Sequence, residues 1–179
     1  CCRKVRGKLM LSNEEMLDLI LRDEGGFTND KRDNGGPTNW GITFVEYQRW
    51  RAGRETSIND LKSMKQEEAR QIFKKWYWTP LGCERLPVGV AYEVFDSGIL
   101  HGIFNAARWL QLAVDAKVDG HVGDKTIQAA LAADDATTIV KIWEWRMKRI
   151  KGHEDYDRFG TGWTNRALRV KKKALQFVR

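Results

Sequence analysis

Two carboxylic acids, Glu24 and Asp33, stand at either end of a Gly-rich stretch near the start of the chain. Glu24 closes the amphipathic run Met16-Leu-Asp-Leu-Ile-Leu-Arg-Asp-Glu24, which Gly25 and Gly26 stop. Met16, Ile20 and Glu24 are spaced i, i+4, i+8 and so share one helix face. An anion there loses water and meets the negative end of the helix dipole, so Glu24 is expected to hold its proton to a higher pH than usual. A carboxyl that stays protonated near neutral pH can donate to a leaving group. Asp33, in a polar loop, is expected to be ionised. A glycosidase needs both roles: one acid protonates the departing oxygen, and a carboxylate activates water or steadies the oxocarbenium-like transition state. The plain alternative is a solvated glutamate in a last helical turn, since structural ion pairs mimic perturbed acids.

Helices position these residues. Ser12-Asn-Glu-Glu15 forms a capping box that starts the first helix, and Thr43-Phe-Val-Glu46 forms a second. Residues 27–42 read as a turn-rich loop with at most a short β-hairpin. Ser57-Ile-Asn-Asp60 opens a short helical turn, and Ser63-Met-Lys-Gln66 a longer helix that runs to about Trp78 before Pro80. Pro87 opens a helix over 88–101 that is apolar on most sides and is therefore expected to be central. Asn105 is expected to cap a helix through Asp115, Val118-Asp-Gly-His-Val-Gly123 to turn, and helices to follow near 124–133, 136–152 and 163–178. The fold class is mainly α. Gly35, Gly36 and Gly41 would let backbone approach a bulky ligand, and Trp40 offers a flat face of the kind that stacks on sugar rings or bases. Most of the other tryptophans are expected to be core.

A chain of 179 residues, 42% hydrophobic and 31% charged, has enough apolar mass for a core. Three cysteines and three histidines offer no disulfide framework and no metal-ligand spacing, so no cofactor and no metal are expected; Cys83 reads as a buried, inert thiol. The net charge of +7 is uneven: Lys141 to Arg179 holds 12 Lys/Arg against 4 Asp/Glu. That end favours an anionic partner such as nucleic acid, an acidic lipid surface or bacterial cell wall.

Glu24-Gly-Gly-Phe27 followed by Asp33-Asn-Gly-Gly-Pro-Thr-Asn-Trp-Gly-Ile-Thr43 closely resembles glycoside hydrolase family 108, phage and bacterial N-acetylmuramidases with a Glu-Gly-Gly-Tyr signature. Val94-Phe-Asp-Ser97, Ala106-Ala-Arg-Trp-Leu-Gln111, Val118-Asp-Gly-His-Val-Gly-Asp-Lys-Thr126 and Phe159-Gly-Thr-Gly-Trp-Thr-Asn-Arg166 resemble the peptidoglycan-binding module usually paired with that family. The resemblance covers about residues 12–175. It implies a lysozyme-like, two-lobed helical fold and an endolysin that cuts the β-1,4 bond between N-acetylmuramic acid and N-acetylglucosamine. It carries the general acid onto Glu24, and the spacing of phage-type lysozymes adds Asp33 and Thr38 as catalytic candidates. Asn39, Trp40, Thr43, Asp96 and His101 become candidate substrate contacts. The family's Tyr is Phe27 here, the lysozyme Thr falls at Asn39 rather than Thr38, and a common Asn is His101.

The division implied is a disordered basic leader over 1–11, a catalytic region over 12–86 and a helical wall-binding region over 87–179, packed as one unit. The expected partner is peptidoglycan, met by a monomer on the periplasmic or extracellular side, with no nucleic acid and a weak contact of the basic C-terminal helix with anionic membrane. A phage or prophage origin is expected. The rival readings are a lytic transglycosylase on the same bond and, from another class, a basic helical protein that binds nucleic acid or membrane.

Overall fold

The computed structural model describes residues 3–5, 8–10, 15–18, 21, 26–29 and 36–179. Glu24, Asp33, Gly25, Gly35 and the first three residues of the Ser12–Glu15 capping box lie outside the described residues. The chain divides into two compact units, Glu15–Lys75 and Trp76–Arg179, the second joined by Cys1–Glu14.

In the first unit, residues 15–18 are helical (α1), and Met16, Leu17 and Leu21 are fully buried. Two short strands follow, β3 (Thr38–Asn39) and β4 (Ile42–Thr43), then α2 (Phe44–Arg51), α3 (Ile58–Ser63) and α4 (Gln66–Phe73). The Thr43–Glu46 capping box expected from sequence is formed, and the Ser57–Asp60 segment, expected to open a helical turn, does so with a capping box of its own. The Thr43 hydroxyl accepts from Glu46 N while Glu46 accepts from Thr43 N, and Ser57 and Asp60 repeat the arrangement. Asp18 pairs with Arg70 at 2.8 Å, tying α1 to α4. The Trp50 Nε1 donates to Glu68 at 3.2 Å, which ties α2 to α4.

The helix expected from Ser63 to Trp78 is broken differently. Its N-cap is Lys65, and after Phe73 the chain widens into a π-helical turn over Lys74–Trp78. The two units divide within that turn, ahead of the 86/87 boundary expected from sequence. The reason is packing: Leu81, Cys83 and Leu86 are core residues, and Gly98 leaves room for Leu81.

The second unit is built on α5 (Val88–His101), buried without interruption from Gly89 to Gly98, as its all-round apolar sequence implies. Packed on it are α6 (Ile103–Ala113), α8 (Asp135–Lys151) and α9 (Tyr156–Ala174), with α7 (Asp124–Ala132) against α6. Trp78 meets Phe95 edge-on at 5.2 Å. Asn105 does not cap α6. That helix starts after Gly102, whose φ of 82° turns the chain, and Asn105 Nδ2 donates back to the His101 carbonyl at 2.7 Å. α9 starts at Tyr156, earlier than the expected 163. Within its added N-terminal turns Gly160 is buried against the Tyr156 ring, where any side chain would collide. The leader, expected to be disordered, carries a ladder in which β1 (Arg3–Val5) pairs antiparallel with β2 (Lys8–Met10).

Candidate functional site

The segment that follows the glutamate motif is closed on itself. Thr28 and Thr38 exchange backbone hydrogen bonds of 2.8 and 2.9 Å, which fixes the two ends of the stretch that carries Asp33. From Thr38 the chain enters a tight hairpin in which Thr38 pairs with Thr43 and Asn39 with Ile42. The turn residues Trp40 and Gly41 have φ of 51° and 76°. A two-residue turn matched to strand twist needs both positive, which suits glycine and strains tryptophan. The Trp40 strain is held by docking: its Nε1 donates to the Met64 carbonyl at 3.2 Å. Trp40 is only partly buried, so it is a fixed aromatic plate with some of its surface reachable.

Asn39 is 3% exposed, and its Nδ2 donates to the Leu61 carbonyl at 2.8 Å and to that of Lys62 at 3.3 Å. It closes the C-terminal end of α3, where helical carbonyls lack partners. Asn39 is thus tied into the scaffold next to Trp40. Thr43 is likewise occupied by its capping box. The Thr38 hydroxyl donates to the Gly36 carbonyl at 3.1 Å. Phe27, standing for the family tyrosine, lies under the Lys62 ammonium at 5.8 Å from its centroid.

The second unit holds Asp96 and His101. Asp96 is 4% exposed and belongs to a buried ionic cluster. Arg146 Nη2 donates to its Oδ2, and Arg166 Nη2 donates to its Oδ1 at 2.8 Å. Arg146, with no exposure, also lies 3.4 Å from Glu93. Burial raises the Asp96 pKa, but the two guanidiniums outweigh it and hold the carboxyl below the usual range. Glu93 is the residue that sequence reasoning passed over. Burial, helped by the nearby Asp96, pushes it up to about 8, against the pull of Arg146. Its only sequence signal is a charge amid the apolar run of α5.

His101 ends α5, stacks edge-on to Trp109 at 5.3 Å and lines a pocket of about 190 Å³ with Leu100, Arg149, Ile150, His153 and Trp163. Burial and the positive charges of Arg146 and Arg149 push its imidazole down to about 4, so the ring is neutral at ordinary pH. The Val118–Gly123 turn is pinned from below. The buried Gln111 donates to Asp119 and to the His121 carbonyl, both at 2.9 Å, and accepts from Gly120 N at 2.9 Å.

The profile of the glycosyl hydrolase 108 family matches residues 17–102, the span from the opening helix through α5. A solved structure, that of Brucella abortus SagA, is 32% identical, superposes with a TM-score of 0.82, and covers 92% of this chain and 94% of its own. No curated protein matches. A profile that begins at the opening helix, a likeness that runs nearly end to end and a mainly α, lysozyme-like fold agree: the chain belongs to glycosyl hydrolase family 108 and is a glycosidase of the peptidoglycan-hydrolase class.

Proposed function

We propose that the protein is an N-acetylmuramidase that hydrolyses the β-1,4 bond between N-acetylmuramic acid and N-acetylglucosamine, with Glu24 as general acid. The observation that carries this reading is the family match over residues 17–102, which takes in Glu24-Gly-Gly-Phe27 and Asp33 together. Glu24 protonates the glycosidic oxygen as the bond breaks. Asp33 activates the attacking water or steadies the oxocarbenium-like centre, and the Thr38 hydroxyl helps to orient that water. Trp40 stacks on a sugar ring from its fixed hairpin. The site of action is the wall side of a bacterial envelope. Among the described residues no helix is long and apolar enough to cross a membrane. We further propose a phage-type lytic role and action as a monomer.

The test is digestion of purified peptidoglycan with identification of the new sugar ends. Reducing ends released by the wild type, and lost in Glu24→Gln at unchanged fold, are expected. A Glu24→Gln protein of near-wild-type rate overturns the assignment. Asp33→Asn is expected to slow hydrolysis by about 10²–10⁴-fold, the usual range for one acid–base group. The lytic transglycosylase reading needs one acid and no water, and 1,6-anhydro ends would establish it instead.

A further inference from the structure

The pocket beside His101 has a chemistry that the hydrolytic roles above leave unused. It lies wholly within the second unit, where the ends of α5 and α8 meet the first turns of α9. Leu100, Ile150 and the Trp163 ring make its apolar walls, and His153 braces Trp163 edge-on at 5.0 Å. Arg149 supplies the charge. Arg146, Arg166 and Arg179 each pair with a carboxylate of the same unit, whereas Arg149 is exposed and has no carboxylate partner among the described residues. A second, more open hollow of about 300 Å³ lies on the other side of Arg149, lined by Trp109, Trp145 and Lys148 among others. Arg149 therefore lines two concave surfaces that both carry tryptophan. His101 beside it is held to low basicity chiefly by burial, with the charges of Arg146, Arg149 and Arg166 adding to it.

We infer that this pocket binds the terminal carboxylate of a short peptide carried by the wall polymer, with Arg149 as its receptor. Three features select that ligand. The planar fork of Arg149 matches a carboxylate with two parallel hydrogen bonds. The walls favour a small alkyl side chain. The volume of about 190 Å³ is below that of pockets for drug-sized ligands, and it suits one amino-acid unit at the end of a chain. Peptidoglycan presents such groups on peptide stems that are not cross-linked through their ends, so the inference rests on the wall as substrate. The open hollow beyond Arg149 leaves a path for the rest of the strand. Binding here would keep the enzyme on peptide-bearing wall between cuts, an effect of linked sites on local concentration.

The probes are a tripeptide ending in D-Ala-D-Ala with a free carboxylate and the same peptide as its C-terminal amide. Each is titrated onto the full chain and followed through the indole N–H and imidazole signals by NMR. The free acid is expected to saturate and to shift signals of Trp163, His101 and His153. The amide and the Arg149→Glu protein are expected to bind at least about tenfold more weakly, the scale of one charge-assisted hydrogen bond. Circular dichroism checks that the exposed substitution leaves the fold intact. Equal binding of acid and amide, undiminished binding by Arg149→Glu, or no saturable binding at millimolar peptide overturns the inference. The peptide has no glycosidic bond, so the two readings fail separately. A protein that binds it but leaves glycan uncut refutes the muramidase assignment alone. One that cuts glycan and ignores the peptide refutes the carboxylate site alone.

Discussion

Arg146 has no exposed surface and stands between Glu93 and Asp96, with Arg166 on the far side of Asp96. Charges so buried are tolerated only because each has a partner, and removal of one strands the rest. Arg146→Ala is expected to cost about 3–5 kcal/mol of stability, measured by denaturant unfolding. The titrations follow from the same site. Glu93 in the folded chain is raised to about 8, so the folded state keeps a proton the unfolded chain has released. Its contribution is full below the ordinary carboxyl range and is lost as pH rises through about 8. His101 runs the other way. Its folded value of about 4 lies below the ordinary 6.5, so its contribution is present above 6.5 and lost as pH falls through about 4. The melting temperature of His101→Gln relative to wild type is therefore expected to be higher at pH 4 than at pH 7, followed by thermal unfolding at the two values.

At the scale of elements, the parts legible in sequence are those whose determinants lie within one helical turn. The Thr43–Glu46 box and the helix start at Ser57–Asp60 are four-residue patterns, and both form. Thr43→Ala is expected to cost about 0.5–2 kcal/mol by the same unfolding measurement, with the hairpin and α2 loosened together. The start of α9 was not legible, because Gly160 and Gly162 weaken the local helix propensity. Burial of Gly160 against Tyr156 overrides that weakness in the fold. Val118–Gly123 belongs here too. As a turn it was readable, but its hold on the buried Gln111 was not. Gln111→Leu leaves the Asp119 and Gly120 amides without their acceptor, so a loss of about 1–3 kcal/mol is expected for each one that stays out of water. Hydrogen exchange at those amides would check it.

For the molecule as a whole, charge is the long-range property that sequence states directly. The excess of 12 basic over 4 acidic residues from Lys141 onward makes attachment to an anionic wall sensitive to ionic strength. Retention on insoluble peptidoglycan is expected to fall between about 0.05 and 0.5 M salt, as screening shortens the reach of the exposed cations. The sequence by itself determined the family, the mainly α class, the central apolar helix and the Thr43–Glu46 capping box, because each depends on neighbours in the chain. Only the tertiary structure decided the fates of Asn39 and Asp96 and the isolation of Arg149. Asn39 meets a carbonyl 22 residues away, and Asp96 meets guanidiniums 50 and 70 residues away. Polar side chains that are buried must take whatever partner the fold brings to them, and no spacing along the chain records which one arrives.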